Sequence, residues 1–179
     1  MSEQTVLDLY RHEFEAQRDE HYFLYDLDGH TTLSTQEFFD RTAALAVGLE
    51  KLGVAKGDRV MLLTDNRPEW HMVDLASVDL GAADVPIYGT LTAEGIAYQV
   101  KDSGSRVAFA ENADQMAKFL AVKDECPSLE HLIQIVGPCA DGVQSMDEVV
   151  DAGRIADAGD LFWQRAETVS ADDLLTLIY

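Results

Sequence analysis

GDRVMLLTDNRPEWHMVDLASVDLGAADVPIYGTLTAEGIAYQVKDSGSRVAFAEN, residues 57–112, alternates short apolar runs with longer mixed ones. Val60 to Leu63 is the first run. Asn66 lies three residues before Glu69, the spacing of a capping box, and Pro68 falls in a first helical turn, where no amide donor is needed. The pattern predicts a helix to Leu80, stopped by Gly81. Val85 to Tyr88 is the second run, Thr92 opens a second helix carrying Ile96 and Val100, and Arg106 to Ala110 is the third run. Short apolar strands alternating with helices of ten or more residues predict a parallel sheet covered on both faces.

The same reading extends outward. Residues 5–18 place Val6, Tyr10 and Phe14 four apart, as on one helix face. In HYFLYDLDGHTTLS, apolar runs flank Asp28-Gly29, a pair suited to a type I′ hairpin turn. A calcium loop is excluded there, because glycine is not at the sixth position nor glutamate at the twelfth. Ser34 and Glu37 form a second capping-box signal before a helix with Phe38, Thr42, Leu45, Leu49 and Leu52 on one face, ended by Gly53. Asn112 and Gln115 repeat the signal, with Met116, Phe119 and Leu120 as the buried side, and Pro127 prevents continuation. His131 to Val136 reads as a strand, Gly137-Pro138 as a turn, Ser145 to Val150 and the surroundings of Leu161 as short helices, and Leu174 to Tyr179 as a final strand. The expected fold is α/β: a mostly parallel five-stranded, flavodoxin-like or Rossmann-like sheet of strands around Val60, Val85, Val107, Ile133 and Leu177, flanked by helices. An N-terminal β-hairpin should lie off that sheet.

At 179 residues, 47% of them hydrophobic, the chain can bury a sizeable core. No apolar run has the length of a membrane span, and MSEQTVLDLYRHEFE lacks a basic start followed by an apolar core, so a cytoplasmic location is expected. The two cysteines, Cys126 and Cys139, form no CxxC pair and are expected reduced. The net charge of −20 disfavours nucleic acid and anionic lipid.

Motifs for chemistry are sparse. GxGxxG, GxxxxGK[ST] and the GxSxG elbow are absent, and none of the five histidines pairs at i,i+4; HEFEA has Ala16 where a zinc helix needs its second histidine. Tyr88-Gly89-Thr90 follows a strand and precedes a helix, where a ligand can bind at the carboxyl edge of a parallel sheet. The plainer reading is a tight turn with Thr92 as cap. Trp70 reads as a packing aromatic before a substrate contact. Asp65, Asn66 and Arg67 also follow a strand end; Asn66 reads first as a cap, and Arg67 has no ligand in sight. No residue is therefore assigned a catalytic, cofactor-binding or metal-binding role.

DNRPEW, GAADVPIYGTLTAEGIAYQVKDSG and the closing SADDLLTLIY resemble the N-terminal part of long-chain acyl-CoA synthetases, members of the adenylate-forming, AMP-binding ligase family. The resemblance covers most of residues 5–179, roughly the first third of such an enzyme. It implies that residues 1–179 are the N-terminal part of an AMP-binding ligase domain, with helix and hairpin over 1–33 and an α/β subdomain over 34–179. It further implies ATP-dependent acyl-adenylate formation from a fatty acid, then thioester formation with coenzyme A. ATP, Mg2+ and coenzyme A would serve the complete enzyme, with none expected bound to this part. The family's phosphate-binding loop, its ribose-holding acidic residue and its catalytic lysine lie beyond the equivalent of Tyr179, so this part is expected to be inactive alone. Two alternatives stay open: a ligase for a shorter or aromatic acid, and a stand-alone flavodoxin-like binding module. A piece of a larger domain is also expected to self-associate through exposed apolar surface.

Thirty-three acids against thirteen lysines and arginines repel one another in the folded state, and salt screens that repulsion over a Debye length of about 8 Å at physiological strength. The thermal midpoint should rise between dilute buffer and molar potassium chloride. A flat or falling midpoint would show that self-repulsion is not a significant cost.

Overall fold

The computed structural model describes residues 5–26 and 29–179, without the side chains of residues 21–31. In chain order the elements are α1 (Val6–Ala16), β1 (His21–Asp26), β2 (Gly29–Ser34), α2 (Thr35–Lys51), β3 (Arg59–Leu63), α3 (Pro68–Asp79), β4 (Ala83–Pro86), α4 (Ala93–Ser103), β5 (Val107–Ala110), α5 (Ala113–Leu120), β6 (His131–Gln134), β7 (Gln144–Ser145), α6 (Met146–Ala152) and α7 (Ala158–Ala166). A single 3₁₀ turn, Lys123–Glu125, follows α5. Strands β3 to β7 form one parallel sheet in the order β4-β3-β5-β6-β7. Strands β1 and β2 pair only with each other, antiparallel, so the hairpin lies off the main sheet. Asp26 pairs with Gly29; the expected Asp28-Gly29 turn falls partly on residue 28, outside the described residues.

Local chemistry explains most boundaries. Ser34 accepts from the Glu37 amide while Glu37 reaches back to the Ser34 amide, closing the expected capping box of α2. Thr92, Asn112 and Ser145 cap α4, α5 and α6 by accepting from the amide three residues on. Asn66 does not cap α3. Pro68 is the first helical residue, which makes Arg67 the cap; it makes no side-chain cap bond, and its guanidinium pairs instead with Glu69 at 2.8 Å. Two buried faces each lose one expected residue. In α1 the buried side chains are Leu7 and Phe14 while Val6 is exposed, and in α5 Leu120 is exposed beside buried Met116 and Phe119.

The fifth strand of the sheet is not the one expected around Leu177. That place belongs to β7, two polar residues beside β6. Residues 174–179 lie at the opposite edge. There Thr176 forms one parallel bridge with Asp84 of β4: the Asp84 amide donates to Leu175 O and the Leu177 amide to Asp84 O. Direction and neighbour suit a strand, but two hydrogen bonds do not make a ladder.

One face of the sheet carries Val60, Leu62, Val107, Phe109 and Ile133 against α2, α3, α6 and α7, with Leu7 and Phe14 of α1 in the same core. The other face carries Met61, Leu63, Val85, Ala108 and Ala110 against α4 and α5. Helix α2 is buried on every side from Thr42 to Leu49, a broader surface than the single face its spacing predicts. Among the described residues no helix is long and apolar enough to cross a membrane. Cys126 is buried and Cys139 exposed, and both are free.

Helix α2 and the end of α6 meet at backbone contact. A Cβ on Gly48 would stand 2.2 Å from Val149 O, and one on Gly153 would stand 1.8 Å from Ala44 O. Both obstacles are backbone, so neither can swing aside. Gly48→Ala should therefore lower the thermal midpoint, although alanine is the better helix former by about 1 kcal/mol. Overpacking costs roughly 1–3 kcal/mol or more, and each kcal/mol moves the midpoint by about 2–4 °C in a chain of this size. An unchanged or higher midpoint would refute the close approach.

Candidate functional site at the carboxyl edge of the sheet

In a parallel sheet all the carboxyl ends open on one side. Here that side holds a cavity of about 600 Å³. Thr64, Asp65 and Asn66 line it from the loop after β3, and Pro86, Ile87, Tyr88 and Gly89 from the end of β4 and its following turn. Trp70 closes it from the first turn of α3, and Ile178 from the segment beyond α7. Strand geometry thus brings together what the sequence singled out separately: Tyr88-Gly89, Asp65, Asn66 and Trp70. Thr90 and Arg67 stand next to the cavity in sequence but do not line it.

Behind this wall lies a polar network. Glu111, directly after β5, accepts from the Asp65 amide at 2.9 Å and from Thr64 Oγ1 at 3.1 Å. Arg67 approaches Glu111 at 3.6 Å and holds Glu69 at 2.8 Å. Burial works against the charged form of Glu69. The Arg67 hydrogen bond and the residue's own backbone amide outweigh it, so this carboxyl sits below the ordinary glutamate value. The network fixes the β3 loop against β5, which leaves Asp65 and Asn66 exposed at the cavity.

The second wall is held from α5. The Tyr88 carbonyl accepts from the Leu91 amide at 2.9 Å, closing the turn, and Lys118 Nζ donates to Gly89 O at 2.6 Å. A Cβ on Gly89 would come within 3.2 Å of Gln115 Nε2, so glycine is suited here to close approach, with no positive φ involved. Tyr88 projects outward, 79% exposed. Trp70 is partly buried and packs against the core, as the packing reading expects, and it also lines the cavity.

The profile of the family described as "AMP-binding enzyme" matches residues 11–179. The chain belongs to this AMP-binding family. A long-chain-fatty-acid–CoA ligase, FadD15, of Mycobacterium bovis is 34% identical over 170 residues, which are 93% of this chain and 28% of the relative. FadD15 of Mycobacterium tuberculosis matches with the same identity and coverage. This chain of the AMP-binding family therefore spans less than a third of the length of these curated relatives. Among solved structures, an anthranilate–CoA ligase, AuaEII, in complex with anthranoyl-AMP aligns with a TM-score of 0.75 at 21% identity, over 85% of this chain and 29% of that one. A putative long-chain-fatty-acid–CoA ligase from Rhodopseudomonas palustris aligns with a TM-score of 0.72 at 22% identity, over 99% of this chain and 39% of that one. These two likenesses are of fold, and they match the expected α/β architecture.

Glu111, Ile178 and Lys118 were not singled out by the sequence. Glu111 could have been, since it follows a strand end as Asp65 and Tyr88 do. Nothing local signals Lys118 or Ile178: each reaches the site through a contact between segments far apart in the chain.

Proposed function

We propose that these residues form the N-terminal part of a long-chain fatty-acid–CoA ligase. The observation that carries the reading is the 34% identity to FadD15 along 93% of the chain. In the proposed reaction the fatty-acid carboxylate oxygen attacks the α-phosphorus of ATP, and pyrophosphate leaves. The coenzyme A thiol then attacks the acyl carbon, a thioester forms, and AMP leaves. The likeness in fold to AuaEII does not favour an aromatic acid over a fatty acid, because at that identity it speaks for architecture alone. A cytoplasmic enzyme fits the absence of a long apolar helix among the described residues.

The lining of the carboxyl-edge cavity supports a limited share of this work for the chain. Its nine residues include no lysine, arginine or histidine. The wall suits the uncharged parts of a substrate, and it offers no cation to a triphosphate. Among the described residues no cluster of three His, Cys, Asp or Glu side chains could hold a metal ion. Magnesium in such a reaction is held largely by phosphate oxygens, water and one or two carboxylates. Charge stabilisation, commonly the largest catalytic contribution, would come from outside this chain.

Two outcomes follow. The 179 residues alone should release pyrophosphate from ATP and a fatty acid only at background. Replacing the matching first segment of M. tuberculosis FadD15 with them should give a chimera whose pyrophosphate release depends on both substrates. Turnover by the 179 residues would overturn the assignment of charge stabilisation, and a folded but inactive chimera would count against the ligase reading. The chain alone should also self-associate, because Leu174, Leu175, Ile178 and Tyr179 are exposed together along the β4 edge. Light scattering that stays monomeric across a concentration series would remove that proposal.

A further inference from the structure

Lys118 is one of only five lysines in a chain with 33 acids, yet its recorded partner is a backbone carbonyl, with no ion pair to it among the described residues. That carbonyl belongs to Gly89, in the turn that rims the cavity. The turn's own closure is a single backbone bond, Leu91 N–H to Tyr88 O. On its far side the turn is seated by Leu91, which packs so closely on α4 that a Cβ on Gly95 would lie 2.8 Å from Leu91 Cδ1. On the near side the seat is α5. Gln115 lies against Gly89, and the charge-assisted bond from Lys118 holds the carbonyl. Tyr88, at the cavity mouth, takes its position from this turn, since its own side chain is largely in solvent.

We propose that Lys118 is a positioning residue: it clamps the Tyr88–Thr90 turn onto α5 and so fixes the mouth of the carboxyl-edge cavity. The ammonium does not take part in chemistry and carries no part of the fold. It acts through the Gly89 carbonyl. A methylene chain without the charge would keep the packing of the Lys118 stem on α5 and lose the clamp. The functional meaning of this clamp rests on reading the cavity as part of the ligase substrate site, but the clamp itself is measured without turnover.

The Leu91 amide is the reporter, because its bond to Tyr88 O exists only when the turn is closed. Hydrogen exchange would be followed by NMR in the 179-residue chain and in its Lys118→Met and Lys118→Arg variants. The Val60 to Leu63 amides serve as the internal measure of global stability. Lys118→Met should speed exchange at Leu91 by about tenfold or more while the β3 amides keep their rates. Lys118→Arg, which keeps a charged donor, should retain most of the protection. Unchanged Leu91 exchange in Lys118→Met would overturn the proposal, showing that the turn holds itself. Equal acceleration at Leu91 and in β3 would overturn it too, because Lys118 would then support the fold as a whole. Neither result depends on whether the FadD15 chimera turns over, so failure of the clamp and failure of the ligase reading are told apart.

Discussion

Val60 to Leu63 of β3 are all inaccessible to solvent, and so are Ala108 to Ala110 of β5. Side chains of successive residues in a strand point to opposite faces, so a strand buried at every position needs cover on both. The rest of the architecture follows from that demand. On one face α4 and α5 are enough. On the other, α2 serves as the central pillar and is itself covered by α3, α6 and α7. A helix so enclosed cannot keep a single apolar stripe, which is why Thr42 to Leu49 are buried without interruption. Small residues at Ala43, Ala44, Ala46 and Gly48 permit this. Gly48 and Gly153 let α6 approach to backbone contact, and Phe39 at the other end meets Phe14, Phe162 and Trp163 in an aromatic cluster that ties α1 and α7 to the pillar.

Information within four residues of chain was legible in the sequence. The caps at Ser34, Thr92 and Asn112 could be read because both partners of each hydrogen bond lie three residues apart. The apolar runs of β3, β5 and β6 could be read because each is a buried strand. Failures came where two local signals competed or where the partner was remote. At the start of α3, the Asn66–Glu69 spacing competed with Pro68, which took the first helical position, while Arg67 took the Glu69 carboxylate. The run at Leu174 to Tyr179 is apolar, but whether it joins a sheet is decided by the backbone of β4, and only Asp84 meets it. Gln144–Ser145 has no apolar residue at all, and it is a strand only because β6 lies beside it.

The same distinction separates the two layers of the candidate site. The loop residues at the strand ends were visible, because a parallel sheet gathers its carboxyl ends whatever their composition. The bonds that support them were not visible, even where the residue itself, like Glu111, follows a strand end. Glu111 bonds to Asp65 across 46 positions, and Lys118 reaches Gly89 across 29. A cavity wall can thus be guessed from sequence while the parts that fix its shape cannot.

The distribution of the scarce cations then bears on chemistry. At the amino ends of the strands, Arg106 bonds to Asp58, Glu130 and Gly53 O, while Arg59 bonds to the carbonyls of Gly57, Ser103 and Gly104. These two arginines close the edge opposite the cavity. At the carboxyl edge, Arg67 is engaged by Glu69 and Glu111, and Lys118 by a carbonyl. Among the described residues no cation lines the cavity itself. Separating pyrophosphate from ATP builds negative charge that must meet preorganised donors. In the proposed ligase, the wall of Thr64, Asp65, Asn66, Trp70 and Tyr88 would offer neutral hydrogen-bond donors and no positive charge. On that proposal these residues would shape and orient the substrate, and positive charge for the phosphates would come from other groups.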